Sequence, residues 1–223
     1  MTAAEVRTPS SVPAPSAPAW RAVPGARLVW LHWRSRRVPA AVLALAVCGG
    51  VLCAALRLQW TFNSGHFAQE LPMIVEGGAA AVLVITTHSP FGEAERTASR
   101  WLPSLRLGTA LAMTGLAIGI LQLGVTGVSL DGGILVLARN VLGVTGIGLL
   151  SSLVTGGLLA WILPMGYIAF AEYALLQSWT SPWTWPVRPP DDRGAWLCAC
   201  LLFAIGLAAF TIRGARTRLA DDS

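Results

Sequence analysis

Two carboxylates, Glu76 and Glu172, stand inside long apolar stretches of this 223-residue chain, and one arginine, Arg139, stands near the end of a third. A charge placed in hydrocarbon is costly, so such residues either work or are neutralised by a neighbour. The work would be proton coupling or substrate contact. The structural alternative is a hydrogen bond to an adjoining helix, with Arg139 as candidate partner for Glu76 or Glu172. A second constellation is the densest polar stretch between apolar runs, Ser89-Pro90-Phe91-Gly92-Glu93-Ala94-Glu95-Arg96-Thr97-Ala98-Ser99-Arg100. Pro90 breaks the preceding helix, and the acids ahead of the arginines match the dipole of a new short one. Its chemistry is recognition: a charged helix that a soluble partner can grip.

Other chemistries find no support. His32, His66 and His88 are scattered. His66 and Glu70 can share a helical face, but two ligands do not make a metal site. A phosphate-binding loop of the Gly-x-x-x-x-Gly-Lys type is excluded because the chain has no lysine, and no His-Glu-x-x-His zinc motif occurs. Cys48, Cys53, Cys198 and Cys200 lie within apolar runs, where a thiol behaves as a small hydrophobe. No catalytic residue, metal or cofactor of the chain's own is expected.

The elements that must position these residues are membrane-spanning. The hydrophobic fraction is 54% and the charged fraction 12%, against about 25% charged in an ordinary globular domain. Uncharged runs of roughly 18 residues or more fit a helix crossing a ~30 Å hydrocarbon core. The expected fold is an all-α integral membrane protein with about six transmembrane helices, at 38–57, 71–88, 104–125, 137–155, 158–177 and 195–213. Gly156-Gly157 divides a run too long for one span. Gly115 and Gly119 in the third span, and Gly143 and Gly146 in the fourth, offer close helix packing. Residues 1–25, rich in Ala, Pro and Ser, read as a disordered tail. Residues 26–214 form the six-helix domain, and 215–223 a cytoplasmic tail.

Residues 27–37 interleave Trp30 and Trp33 with arginines, which suits a helix lying at the interface ahead of the first span. Ser35-Arg36-Arg37 and Leu45-Ala46-Val47-Cys48 resemble export signals, but further spans follow both. The net charge of +5 comes from arginine alone. Because these arginines flank apolar runs, they indicate membrane orientation and not nucleic-acid binding. Both ends and the 89–103 connection share one side, with Arg21, Arg27, Arg34, Arg36, Arg37, Arg96, Arg100, Arg213, Arg216 and Arg218. The other side holds Arg57, Arg139, Arg188 and Arg193. The positive-inside bias then places both termini in the cytoplasm.

This pattern resembles the membrane (permease) subunits of ABC-2 type ABC transporters from GC-rich bacteria. The resemblance covers residues 27–214: the basic interfacial helix, six spans, a charged helix between spans two and three, and a Gly-rich fourth span. The resemblance implies that Phe91, Gly92, Glu93, Glu95, Arg96 and Arg100 couple to a separate ABC ATPase subunit, which holds ATP and Mg. It also implies that the chain pairs as a homodimer or heterodimer in the bacterial cell membrane, with residues 179–192 as the external segment before the last span. Export is the expected direction. The chain is short for the family, and its second cytoplasmic connection, near 155–157, is almost absent.

Two other classes stand beside that reading. One is a non-transporting multi-span protein with an assembly, immunity or sensor-anchor role. The other is a secondary transporter, which needs inverted repeats. Comparison of residues 38–125 with 137–213 reveals no convincing repeat.

Overall fold

A computed structural model describes residues 33–34, 37–62, 67–86, 102–127, 133–177, 179 and 181–215. The segment 87–101, with Phe91, Gly92, Glu93, Glu95, Arg96 and Arg100, lies outside the described residues, as do residues 1–32 and His66.

Six α-helices carry the described chain: α1 Val38–Phe62, α2 Phe67–Ile85, α3 Leu102–Gly124, α4 Gly133–Thr155, α5 Ile162–Leu176 and α6 Arg193–Arg213. A 3-10 segment, Pro182–Val187, precedes α6, and the described residues contain no strand. Local signals set several ends. Pro103 lies in the first turn of α3 and Pro164 in that of α5, positions where a missing N–H costs nothing. The α4 helix stops at Thr155 because Gly156 takes φ +82°, and a turn over 157–161 leads into α5. The α6 helix opens on Asp192, whose carboxylate accepts from the Ala195 N–H at 3.1 Å. It closes on Gly214 at φ +70°, whose N–H reaches the Phe210 carbonyl at 2.8 Å.

Four of these helices are long and apolar enough to cross a membrane: Val38–Leu58, Pro103–Gly124, Gly133–Thr155 and Arg193–Arg213. Leu71–Ile85 and Ile162–Leu176 are shorter apolar helices. At ~1.5 Å per residue, a fifteen-residue apolar stretch covers only ~23 Å, below the hydrocarbon thickness. The fold is thus all-helical and its apolar helices are those of a membrane protein. Leu43, Val47, Leu123, Leu197, Leu201 and Ile212 turn outward, as lipid-facing residues do.

The central helix is α4. Of its apolar stretch 56% is buried, against 22% for α6 and 28% for α1. One core joins α1, α2 and α3 through Leu45, Leu52, Ala79, Ala117 and Leu121. A second joins α2, α4, α5 and α6 around Ala80, Val144, Ile168, Ala171 and Trp185. Glycine brings backbones into contact at two crossings. A Cβ on Gly206 would lie 2.5 Å from the Gly146 carbonyl oxygen, and one on Gly124 would lie 2.6 Å from that of Gly49. In lipid, where apolar burial gives no association force, such close packing is a main source of helix affinity.

Candidate functional site

Two neighbours on α4 serve different faces of the helix. Asn140 looks toward α2, where its Nδ2 donates to Glu76 Oε2 at 2.9 Å. Glu76 is 3% exposed and Asn140 1%. Arg139, fully buried, looks toward the segment before α6. Its two terminal nitrogens donate to the carbonyls of Pro189 and Arg188, each at 2.8 Å. Among the described residues Arg139 makes no ion pair with Glu76 or Glu172, so the guanidinium partners backbone dipoles instead. Glu172 lies half-buried on α5 between buried Ala171 and exposed Tyr173.

The segment that Arg139 holds is folded into the bundle. Trp185 fills the space that a side chain at Gly143 would take: a Cβ there would meet the indole at 2.7 Å. Tyr167 of α5 stacks on Trp185 with centroids 4.5 Å apart, and its hydroxyl donates to the Trp183 carbonyl at 2.6 Å. Phe170 stacks on Trp183 and meets Trp179 edge-on. Aromatic pairs of this kind contribute about 0.5–1.5 kcal/mol each beyond their buried area. At the segment's end, Arg188 pairs with Asp192 at 2.5 Å, and the Trp196 indole donates to the Pro190 carbonyl at 3.0 Å. The Ala195 N–H and the Arg188 guanidinium hold the Asp192 carboxyl below its ordinary range. The result is an aromatic plug strapped to α4 by a buried arginine.

Among the described residues, Arg139 Nε, Asn140 Oδ1 and Trp185 Nε1 of this region are buried without a hydrogen-bond partner. A mainly apolar recess of about 340 Å³, counting its open mouth, with several threonines and one arginine in its wall, lies at the other end of the bundle. Thr86, Arg106, Thr109, Thr114 and Thr145 line it together with Phe210. No group of three or more His, Cys, Asp or Glu side chains gathers among the described residues. The four cysteines are free, three half-buried and Cys200 exposed.

Of the residues singled out by sequence, the structure brings Glu76 and Arg139 onto neighbouring faces of one buried layer and leaves Glu172 on another helix. Gly143 and Gly146 sit at tight approaches, to Trp185 and to the α6 backbone at Leu202 and Phe203. Gly115 and Gly119 meet nothing within 4 Å, so that face of α3 is uncovered by the described chain. Sequence reasoning passed over Asn140, Trp185, Gly49 and Gly206. Asn140 has a signal, being a carboxamide inside an apolar run, but nothing local separates Trp185 from Trp179 and Trp183.

The described residues form an all-helical protein whose apolar helices are those of a membrane protein, with one buried polar layer between apolar cores. No protein-family model, curated protein or solved structure matches the chain.

Proposed function

We propose that this chain is the membrane subunit of an ATP-driven exporter of the ABC-2 kind. Six spans cross a bacterial cell membrane, and both termini are cytoplasmic. In this reading α2 completes the crossing from inside the bundle, covered by its neighbours, and α5 completes it with an apolar face turned outward. The observation that carries the reading is the polarity of the architecture. The plug over 182–190 closes one end of the bundle, beside Arg139. At the other end, Thr86 of the α2 terminus and Arg106 of early α3, which bracket the charged connection in sequence, share one recess.

A separate ATPase subunit holds ATP and Mg, docks on Glu93, Glu95, Arg96 and Arg100, and tilts α2 and α3 against the rest. The uncovered Gly115 and Gly119 face of α3 supports a second membrane subunit, identical or related, with cargo passing between the two.

Purification in mild detergent tests this directly. A soluble nucleotide hydrolase should co-purify with the full chain, and replacing Glu93 and Arg96 with alanine should weaken its retention about tenfold, a loss of ~1.4 kcal/mol. A chain that inserts normally and retains no hydrolase would instead favour the non-transporting assembly or anchor role.

A further inference from the structure

We infer that Glu76 and Asn140 form a proton-binding site inside the bundle: Glu76 is held as the neutral acid, and its proton closes a second hydrogen bond, to Asn140 Oδ1. The inference does not depend on an ATPase partner.

The argument starts from what each atom lacks. Asn140 Nδ2 is satisfied by Glu76 Oε2 at 2.9 Å, yet Asn140 Oδ1 is buried with no donor among the described residues. Buried carbonyl oxygens of this kind almost always have a partner. The carboxyl and carboxamide are planar groups of matching bite, so an acid and an amide can form a two-bond ring. A proton on Glu76 is the donor that completes it. Exchanging the nitrogen and oxygen positions of Asn140 leads to the same requirement. Two oxygens 2.9 Å apart need a proton between them.

The nearest positive charge is Arg139, which makes no ion pair with Glu76 among the described residues. Arg139, next to Asn140 on α4, commits both terminal nitrogens to the Arg188 and Pro189 carbonyls. From α5, Ile168 and Met165 pack against α2 at Gly77. Tyr167 donates its hydroxyl to the Trp183 carbonyl. Glu172 lies one turn beyond Ile168, half-buried, and Tyr173 is exposed. On α1, Arg57 is exposed and Cys48 and Cys53 are half-buried. On α3, Arg106 is at the opposite end, in the recess with Thr86.

The chemistry is a single proton transfer. The Glu76 O–H bond breaks, the proton passes to water, and the carboxylate retains the electron pair. The ionised site keeps one hydrogen bond and sets two oxygens against each other, which loosens α2 from α4.

Infrared difference spectroscopy of the full chain in lipid at neutral pH decides the matter. Wild-type protein minus Glu76→Gln should show the C=O stretch of a protonated carboxyl, displaced in D2O. Glu76→Gln should melt like wild type, because a carboxamide can also donate to Oδ1 and accept from Nδ2, whereas Glu76→Leu should melt lower. Absence of the band, or equal destabilisation by both variants, overturns the site. Should Glu76→Gln fail to insert, Asn140→Leu gives the same decision. The wild-type band must then move to higher frequency, and a band that stays in place overturns the pairing.

Discussion

Arg139 illustrates how a charge survives inside an apolar bundle without a counter-ion. Its guanidinium has five donors in a fixed fork, and two of them grip successive carbonyls of the 188–189 backbone. Those carbonyls flank prolines, which cannot supply N–H groups of their own, so the segment offers acceptors in excess. The arrangement makes Arg139 the strap of the plug. Arg139→Leu should lower stability by about 2 kcal/mol or more, since buried acceptors lose their donors. It should also expose residues 179–192 to protease. Lysine in its place should recover only part of the loss, because a compact ammonium does not span two carbonyls. Thermal melting in detergent with limited proteolysis measures both effects, and an Arg139→Leu protein that matches wild type in each would show the strap to be idle.

At the scale of elements, α4 is the post around which the others are arranged, and its small residues set the distances. Gly146 admits the α6 backbone at Leu202 and Phe203, and Gly206 reciprocates against the Gly146 carbonyl. A side chain at Gly146 has only backbone to displace, and backbone of a packed helix does not give. Gly146→Leu should therefore cost at least the ~1–3 kcal/mol typical of overpacking, read as a lower melting temperature and a broadened size-exclusion profile. Gly49 and Gly124 bring α1 and α3 together in the same manner. If Gly146→Leu melts with wild-type cooperativity, then α4 and α6 do not meet backbone to backbone at this position.

For the molecule as a whole, the uneven coverage of the helices matters most. Most of α4 is buried, whereas α1, α3 and α6 present apolar surfaces. On α3 that surface includes Gly115 and Gly119, where nothing stands within 4 Å. Leucine at both positions should leave the single chain folded, within about 0.5 kcal/mol. If α3 receives a second copy, the same change should shift the detergent-solubilised mass from dimer to monomer. Light scattering across a range of protein concentrations reads this, and an unchanged mass distribution would remove α3 from the interface.

Composition and run length were enough to establish helices, their apolar character and their fit to a membrane. Those properties depend on local hydrophobicity and on backbone groups that must satisfy themselves within each helix. The glycines of α4 stood out by spacing, yet nothing local distinguishes Gly146, pressed on a neighbouring backbone, from Gly115, pressed on nothing. Glu76 and Arg139 were legible as buried ionisable groups because each interrupts an apolar run. Their partners were not: Asn140 is 64 residues from Glu76, and Pro189 is 50 from Arg139. The choice of a carboxamide over a guanidinium for Glu76, and of backbone over carboxylate for Arg139, depends on which faces of α4 turn toward α2 and toward the plug. Rotation of one helix about its axis is set by packing against all the others, so only the tertiary structure could decide it.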